Sequence, residues 1–419
     1  MKKIILFFLI FLFFGQPPLK AEGEISLSLG ETLALGLRDN REILLKTEEL
    51  KKAQLKIKEA KAGLLPSLTF SGSWTDTRGY YNKDISQTTT QTTLRQYLYK
   101  GGRTINTIKY AGHNFEVAQA VLDKTKLEIL FQIEKSFYTL LLAQEFSQLN
   151  KQILENTRAH LGVLEARYQT GEASQSDILK IKESLDSVQE AFIASINQAE
   201  TSLALLRDLL YLADEVKIIA QGQFSYECKE VAYDEAFLKA MKTRPEIRQY
   251  EAQQQAAKSA VEIAKADNRP TIYASWDYYS RSHVLAAKNW NDYNALGLVF
   301  SWPIFDGWAT QSKVEQAIVD LKESQLNQEK GIKDIALELK QAYLDLKNAV
   351  AGIKSNQAQV DFYNDTFTVT EAKYKNGLAS SMDLEDAQLG HQVSLFNEKQ
   401  AIYDYILAKS GFDKATGGL

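Results

Sequence analysis

The chain changes its hydrophobic period twice, and both changes recur. After Pro66, Leu68, Phe70, Gly72 and Trp74 alternate with Thr69, Ser71, Ser73 and Thr75, the period of a strand with one apolar face. After Pro270, Ile272, Ala274, Trp276 and Tyr278 alternate with Thr271, Tyr273, Ser275 and Asp277 in the same parity. Partner strands are expected over about 88–98, which is Thr-rich, and about 293–302, where Leu296, Leu298, Phe300 and Trp302 alternate with small residues. Strands of roughly ten residues with an apolar face suit a tilted crossing of a membrane.

Beyond each strand pair the period becomes helical. Every seventh residue from Leu140 gives Leu140, Ser147, Leu154, Leu161 and Tyr168, and adding 206 gives Leu346, Ile353, Val360, Phe367 and Tyr374. That spacing belongs to helices winding around neighbours. No proline interrupts the chain from Tyr99 to Pro245 or after Pro303, so helices of about 67 residues, about 100 Å long at 1.5 Å per residue, are permitted. Each ends at a glycine, Gly171 or Gly377, followed by serines (Ser174 and Ser176; Ser380 and Ser381) that supply the N-cap of a returning helix.

The 206-residue echo is direct. Tyr168, Gly171, Ala173, Ser174 and Asp177 return as Tyr374, Gly377, Ala379, Ser380 and Asp383, and Tyr99-Lys100-Gly101 returns as Phe305-Asp306-Gly307. Self-similarity at a fixed offset fixes architecture before any local motif does. The expected fold is mainly α with a β portion, one strand pair and one long helical hairpin written twice. The first unit covers 22–212, with strands about 67–98 and hairpin about 101–211; the second covers 232–419, with strands about 271–302 and hairpin about 307–412. Residues 213–231, less periodic and containing Gly222 and Cys228, form an equatorial linker. Asn40-Arg41-Glu42-Ile43 and Arg244-Pro245-Glu246-Ile247 mark the starts of shorter helices before each strand pair.

Composition narrows the class. Lys2 and Lys3, an apolar run from Ile4 to Phe14, and Ala21 have the layout of a secretory signal peptide over 1–21, too short to span a membrane. No cysteine follows it for lipid attachment. Losing Lys2, Lys3 and Lys20 moves the formal net charge from −4 to −7, which with no basic stripe argues against nucleic acid. A single Cys228 excludes an internal disulfide, so size or oligomerisation must stabilise the fold. His113, His160, His283 and His391 stand apart, without metal-ligand spacing, and neither a nucleophile context nor a phosphate loop is present. The chemistry expected is therefore not enzymatic, with no cofactor and no metal. Four strands cannot close a barrel and lipid does not tolerate a sheet edge, so a membrane role forces several chains to share one barrel; three would give twelve strands. The rival is a secreted coiled-coil scaffold whose strands form a small soluble sheet.

The duplicated plan, Trp302-Pro303-Ile304-Phe305-Asp306-Gly307 at the last strand-to-helix junction, and Tyr-x-x-Gly followed by Asp at both hairpin tips resemble the TolC-type outer-membrane efflux proteins over nearly the whole mature chain. The resemblance implies a homotrimeric tunnel: a twelve-stranded barrel in outer-membrane lipid and a helical tunnel through the periplasm. It also implies docking to a periplasmic adaptor protein and an inner-membrane transporter of the RND, ABC or MFS type. Tripartite efflux of drugs or metals and type I protein secretion would use the same duct.

In a trimer each tip residue appears three times around one axis. Asp383 and Asp386, three apart at the start of the last helix, align with the two aspartates that narrow the periplasmic entrance in that family; either a selectivity ring or complements of the helix N-terminus would explain them. Asp177 and Tyr374 match the family's tip closure, but Ala379 stands where its arginine is expected, leaving Tyr374 packing, Lys373 or Lys375 to hold the closed end. Gly171, Glu172, Ala173, Gly377, Leu378 and Ala379 form the expected adaptor-docking surface. Trp74, Trp276, Tyr278, Tyr279, Trp290 and Trp302 are candidates for aromatic girdles at the membrane interfaces, with extracellular loops over 79–87 and 281–289.

Overall fold

The computed structural model describes residues 24–80, 83–214, 216–224, 226–227, 231–283 and 290–418; the expected signal peptide and Cys228 lie outside them. The elements run β1 (Glu24–Leu27), α1 (Leu29–Asp39), α2 (Arg41–Ala62), β2 (Ser67–Tyr80), β3 (Lys83–Lys100), α3 (Arg103–Gln169), α4 (Gln175–Leu210), β4 (Lys217–Ala220), α5 (Tyr233–Thr243), α6 (Pro245–Lys265), β5 (Thr271–His283), β6 (Trp290–Ser301), α7 (Ala309–Lys375) and α8 (Ser381–Ala415). Among the described residues no helix is long and apolar enough to cross a membrane.

The two longest helices, α3 and α7, each have 67 residues, about 100 Å. Their expected heptad face is buried at mid-length, through Leu140 and Leu154 in α3 and Leu346 and Ile353 in α7, and opens towards the tip, where Tyr168 is exposed. Gly171 and Gly377 turn the chain with φ of +82° and +74°, a conformation that residues with a Cβ adopt at a cost. Ser174 and Ser380 then start α4 and α8 with matching capping boxes. Each half has its own apolar core. Ile133, Phe137, Leu206 and Leu210 anchor the first, and Leu339, Tyr405, Ile406 and Phe412 the second.

Within 213–231, β4 pairs in parallel with β1, a short sheet the sequence pattern did not indicate. Ile218, Ala220 and Leu27 carry it into the first core. Asn40 caps α2 through its side chain, accepting from the Glu42 and Ile43 N–H groups. Pro245 opens α6 at the position where a missing N–H costs nothing.

Strands β2, β3, β5 and β6 form one antiparallel sheet in that order, leaving β2 and β6 as its edges. The strands are longer than their periodicity suggested. β3 begins at Lys83, pairing with Tyr80, so most of the expected loop over 79–87 is strand; β5 continues to His283, and 284–289 of the second expected loop lie outside the described residues.

Candidate functional site

Two regions carry the expected functional residues, the sheet and the paired hairpin tips. Across the sheet the register places Leu68, Leu94, Trp276 and Leu296 in one row on one face. Phe70, Leu298 and Phe300 share that face and are largely exposed. The opposite face is polar. Thr93 Oγ1 donates to Asp277 Oδ1 at 2.5 Å, and Gln91 Nε2 donates to Asp277 Oδ1 at 3.1 Å and to the Tyr279 hydroxyl at 2.9 Å. A sheet apolar on one side and hydrogen-bonded on the other is suited to lipid outside and water inside.

Trp74 and Trp290 lie in the same cross-strand row, through Thr88 and Ser282. Ten residues lower on β5, Ile272 pairs with Phe300, and Trp302 follows just beyond, its indole N–H donating to the Asn268 carbonyl at 3.2 Å. Ten residues of strand span about 33 Å, or about 25 Å of height at a 40° tilt, the thickness of an outer-membrane apolar band. Trp74 and Trp290 stand at one end of that span and Trp302 at the other. Trp276 and Tyr278 stand between those two levels in the register, a difference in height that side-chain parity alone does not carry.

At the tips the helices bring together residues far apart in sequence. Arg167, in the last turn of α3, donates through Nη1 to the Tyr374 hydroxyl at 3.2 Å, with its guanidinium carbon 5.3 Å from the ring centroid. His160 meets the same ring edge-on at 6.3 Å, and its Nε2 is buried without a hydrogen-bond partner. Burial first, and then the Arg167 charge, hold the His160 ring below its ordinary pKa. An arginine thus reaches Tyr374 from the other hairpin, while Ala379 stands beside the turn. Arg167 adjoins Tyr168 in the sequence, and only the approach of the two hairpin tips shows its partner.

Asp177 and Asp383 do the same local task. Each accepts the backbone N–H and the hydroxyl of its capping serine, Ser174 at 3.0 and 2.7 Å and Ser380 at 2.8 and 2.7 Å. These bonds hold both carboxyls below the usual range, led by the Ser174 hydroxyl for Asp177 and the Ser380 N–H for Asp383. Asp386 is exposed one turn on, while Leu384 and Ala387 face inward. Between the hairpins lies Glu385, which the sequence did not single out. Its burial raises its carboxyl, opposed by Lys180 and reinforced by Asp386 and Asp177. Gly171, Glu172, Gly377 and Leu378 are exposed at the turns, with Ala173 and Ala379 half-buried beside them. Lys375 pairs with Glu371 at 2.9 Å, on its own helix. Among the described residues no cluster of His, Cys, Asp or Glu is suited to hold a metal ion.

Long paired helices continuous with an amphipathic sheet define a membrane-anchored tunnel component. Residues 35–210 and 238–418 match the outer membrane efflux protein family, and the chain belongs to it. It is 23% identical over 378 residues to Nodulation protein T of Rhizobium leguminosarum bv. viciae, covering 86% of this chain and 76% of that protein. It is 21% identical over 388 residues to Outer membrane protein TolC of Escherichia coli K12, covering 87% and 77%. The fold is similar to the open state of the Neisseria gonorrhoeae MtrE outer membrane channel, with a TM-score of 0.80 at 14% identity over 93% of this chain and 89% of that one. The chain is an outer-membrane exit duct with a long periplasmic helical portion.

Proposed function

We propose that three copies of this chain close one twelve-stranded barrel and continue as a helical tunnel whose tips dock on a periplasmic adaptor, with transport driven by an inner-membrane pump. The chain itself is a passive conduit and carries out no catalysis. One observation supports this above all: a sheet with an exposed apolar face has two unpaired edges, β2 of 14 residues and β6 of 12. In lipid, unpaired backbone groups are costly, and pairing β6 of one chain with β2 of the next removes every edge at once.

The domain division follows the repeat, 22–212 and 232–419 about a linker at 213–231. Asp383 and Asp386 ring the entrance and favour cations, since capping leaves Asp383 ionised. Gly171, Glu172, Ala173, Gly377, Leu378 and Ala379 meet the adaptor. Asp177 serves tip closure through the start of α4, and Tyr374 serves it through Arg167. Trp74, Trp290 and Trp302 sit at the membrane borders.

Light scattering on protein extracted from outer membranes, with the detergent subtracted, tests the assembly. Three chains per particle are expected, and a detergent-independent monomer would overturn it. In planar bilayers Asp383→Asn, which keeps a side-chain acceptor for the cap, combined with Asp386→Asn should lower the cation preference. Unchanged selectivity would reject the ring. Gly377→Leu should impair pump-coupled export at unchanged trimer yield if the turn meets an adaptor.

A further inference from the structure

The two halves meet their strand-to-helix corners differently, and the difference identifies the seam between copies. Within the chain, the corner joining β3 to α3 is covered by the segment leading into β5. Arg269 Nη1 donates to the Gly101 carbonyl at 3.0 Å, and Arg103 forms an ion pair with Asp267, which also meets Lys313 at 3.5 Å. A Cβ on Gly101 would lie 2.7 Å from the Cβ of Arg269, and one on Gly102 would lie 3.4 Å from Arg269 Nη1. This corner is closed and charged.

Its repeat mate joins β6 to α7, with Gly307 answering Gly101 and Trp308 answering Gly102. Nothing lies within 4 Å of a Cβ built on Gly307. Ile304, Phe305 and Trp308 are 85%, 75% and 67% exposed, and the Trp308 ring has an edge-on contact with Phe305 at 6.0 Å. Trp308 also holds φ of +69°, a conformation unfavourable for a bulky residue, whereas Gly102 takes φ of +86° without penalty. A strained and exposed tryptophan at an open corner lacks the segment that covers its mate.

The covering segment in the repeat is the one leading into β2. Pro66 answers Pro270, so Leu65 answers Arg269 and Gly63 answers Asp267. This chain's own Leu64 and Leu65 stand at the start of the opposite sheet edge and are exposed. We infer that Trp308 of one chain seats on Leu65 of the next, with Phe305 flanking it, making an apolar joint at the base of the barrel where the equivalent joint inside a chain is charged.

Side-chain size is exchanged across the two joints. Long Arg269 reaches over Gly102, and large Trp308 reaches towards shorter Leu65. The ionic partners are exchanged too: Ala309 and Gly63 stand where Arg103 and Asp267 pair, so neither half of that ion pair is left alone at the seam. Continuity with the strand edges favours a second copy over lipid as the occupant, because pairing the last residues of β6 with the first of β2 brings the two segments side by side.

Because the joint needs a ring of copies, it rests on the trimeric assembly proposed above, and the test separates the two. In a Cys228→Ser background, Leu65→Cys with Trp308→Cys is treated in intact outer membranes with a short bismaleimide. Covalent dimers and trimers many-fold above either single-cysteine variant are expected. Absence of cross-links in a particle that light scattering shows to be trimeric overturns the joint alone; a monomeric particle overturns both.

Trp308→Gly supplies a second readout, since it relieves the backbone while removing the contact. The helical circular dichroism should be retained and the temperature of trimer dissociation in mild detergent should fall; an unchanged or higher temperature overturns the joint. A fluorescence fraction quenched by brominated lipid in the parent and lost in Trp308→Gly would assign the ring to lipid and overturn it as well.

Discussion

Arg167 Nη1 and the Tyr374 hydroxyl lie 3.2 Å apart, joining the last turn of α3 to the last turn of α7 across the hairpin tips. The same guanidinium lies over the Tyr374 ring, so bond and cation–π contact act together. At a half-exposed site such a pair contributes about 1 kcal/mol per chain. Arg167→Ala should therefore widen the periplasmic end, seen as a higher and more frequently open conductance in planar bilayers. Tyr374→Phe, which keeps the ring, should give a smaller rise than Arg167→Ala. An equal rise in the two variants would remove the cation–π contribution.

His160 predicts a pH dependence at the same place. Its pKa is held below the ordinary 6.5, by burial and then by Arg167. Unfolded or opened chains bind the proton more readily than the closed tip, so closure is favoured above 6.5 and weakens as pH falls towards the depressed value. Conductance should rise on mild acidification of the periplasmic side. His160→Gln should flatten that part of the profile without opening the channel at neutral pH.

The repeat, the strand parity and the 67-residue helices were legible because each is a long periodic signal, and the lengths of α3 and α7 follow directly from it. Tip chemistry was legible only in part. The capping boxes at Ser174 and Ser380 are local, hence visible from spacing, whereas Arg167, His160 and Glu385 acquire their partners only when two hairpins pack. The parallel pairing of β1 with β4 joins residues nearly two hundred positions apart through four-residue strands, too short to carry a period. Height along the strands needs the register, which explains why Trp276 and Trp290 looked alike in the sequence.

Arg244 offers a test of the second half's interior. Its side chain is 5% exposed, and it meets Glu246 at 3.0 Å and Glu338 at 2.7 Å. Burial alone would raise the Glu246 carboxyl above its ordinary 4.5, but the Arg244 hydrogen bond and charge outweigh it and the net shift is down. In the parent, that contribution is present above 4.5 and is lost as pH falls through the lowered value. Arg244→Met removes the partner and leaves a buried carboxylate, at a cost of about 3–5 kcal/mol near neutral pH. Burial is then opposed only by the Glu246 backbone N–H and by Lys124, so the Glu246 pKa moves up from its parent value and the variant should lose less stability on acidification than the parent does. Thermal unfolding in detergent across that range reads the difference.

Neighbouring positions on β6 separate lipid from lumen most directly. Leu296 is 83% exposed on the apolar face and pairs with Trp276, whereas Ala295 pairs with Asp277 on the polar face. The Leu68 to Leu296 row lies between the Trp74–Trp290 border above and the Ile272–Phe300 pair below, so an arginine at 296 would enter the hydrocarbon. Charged substitutions there cost about 2–4 kcal/mol at the midplane and little towards the interfaces. Leu296→Arg should reduce the yield of assembled protein in the outer membrane. Ala295→Arg adds the same charge one residue away, beside a carboxylate and facing water, and should assemble normally while lowering the cation preference of the pore. Equal losses of assembly in both variants would place water, or lipid, on both faces and remove the basis for a closed barrel.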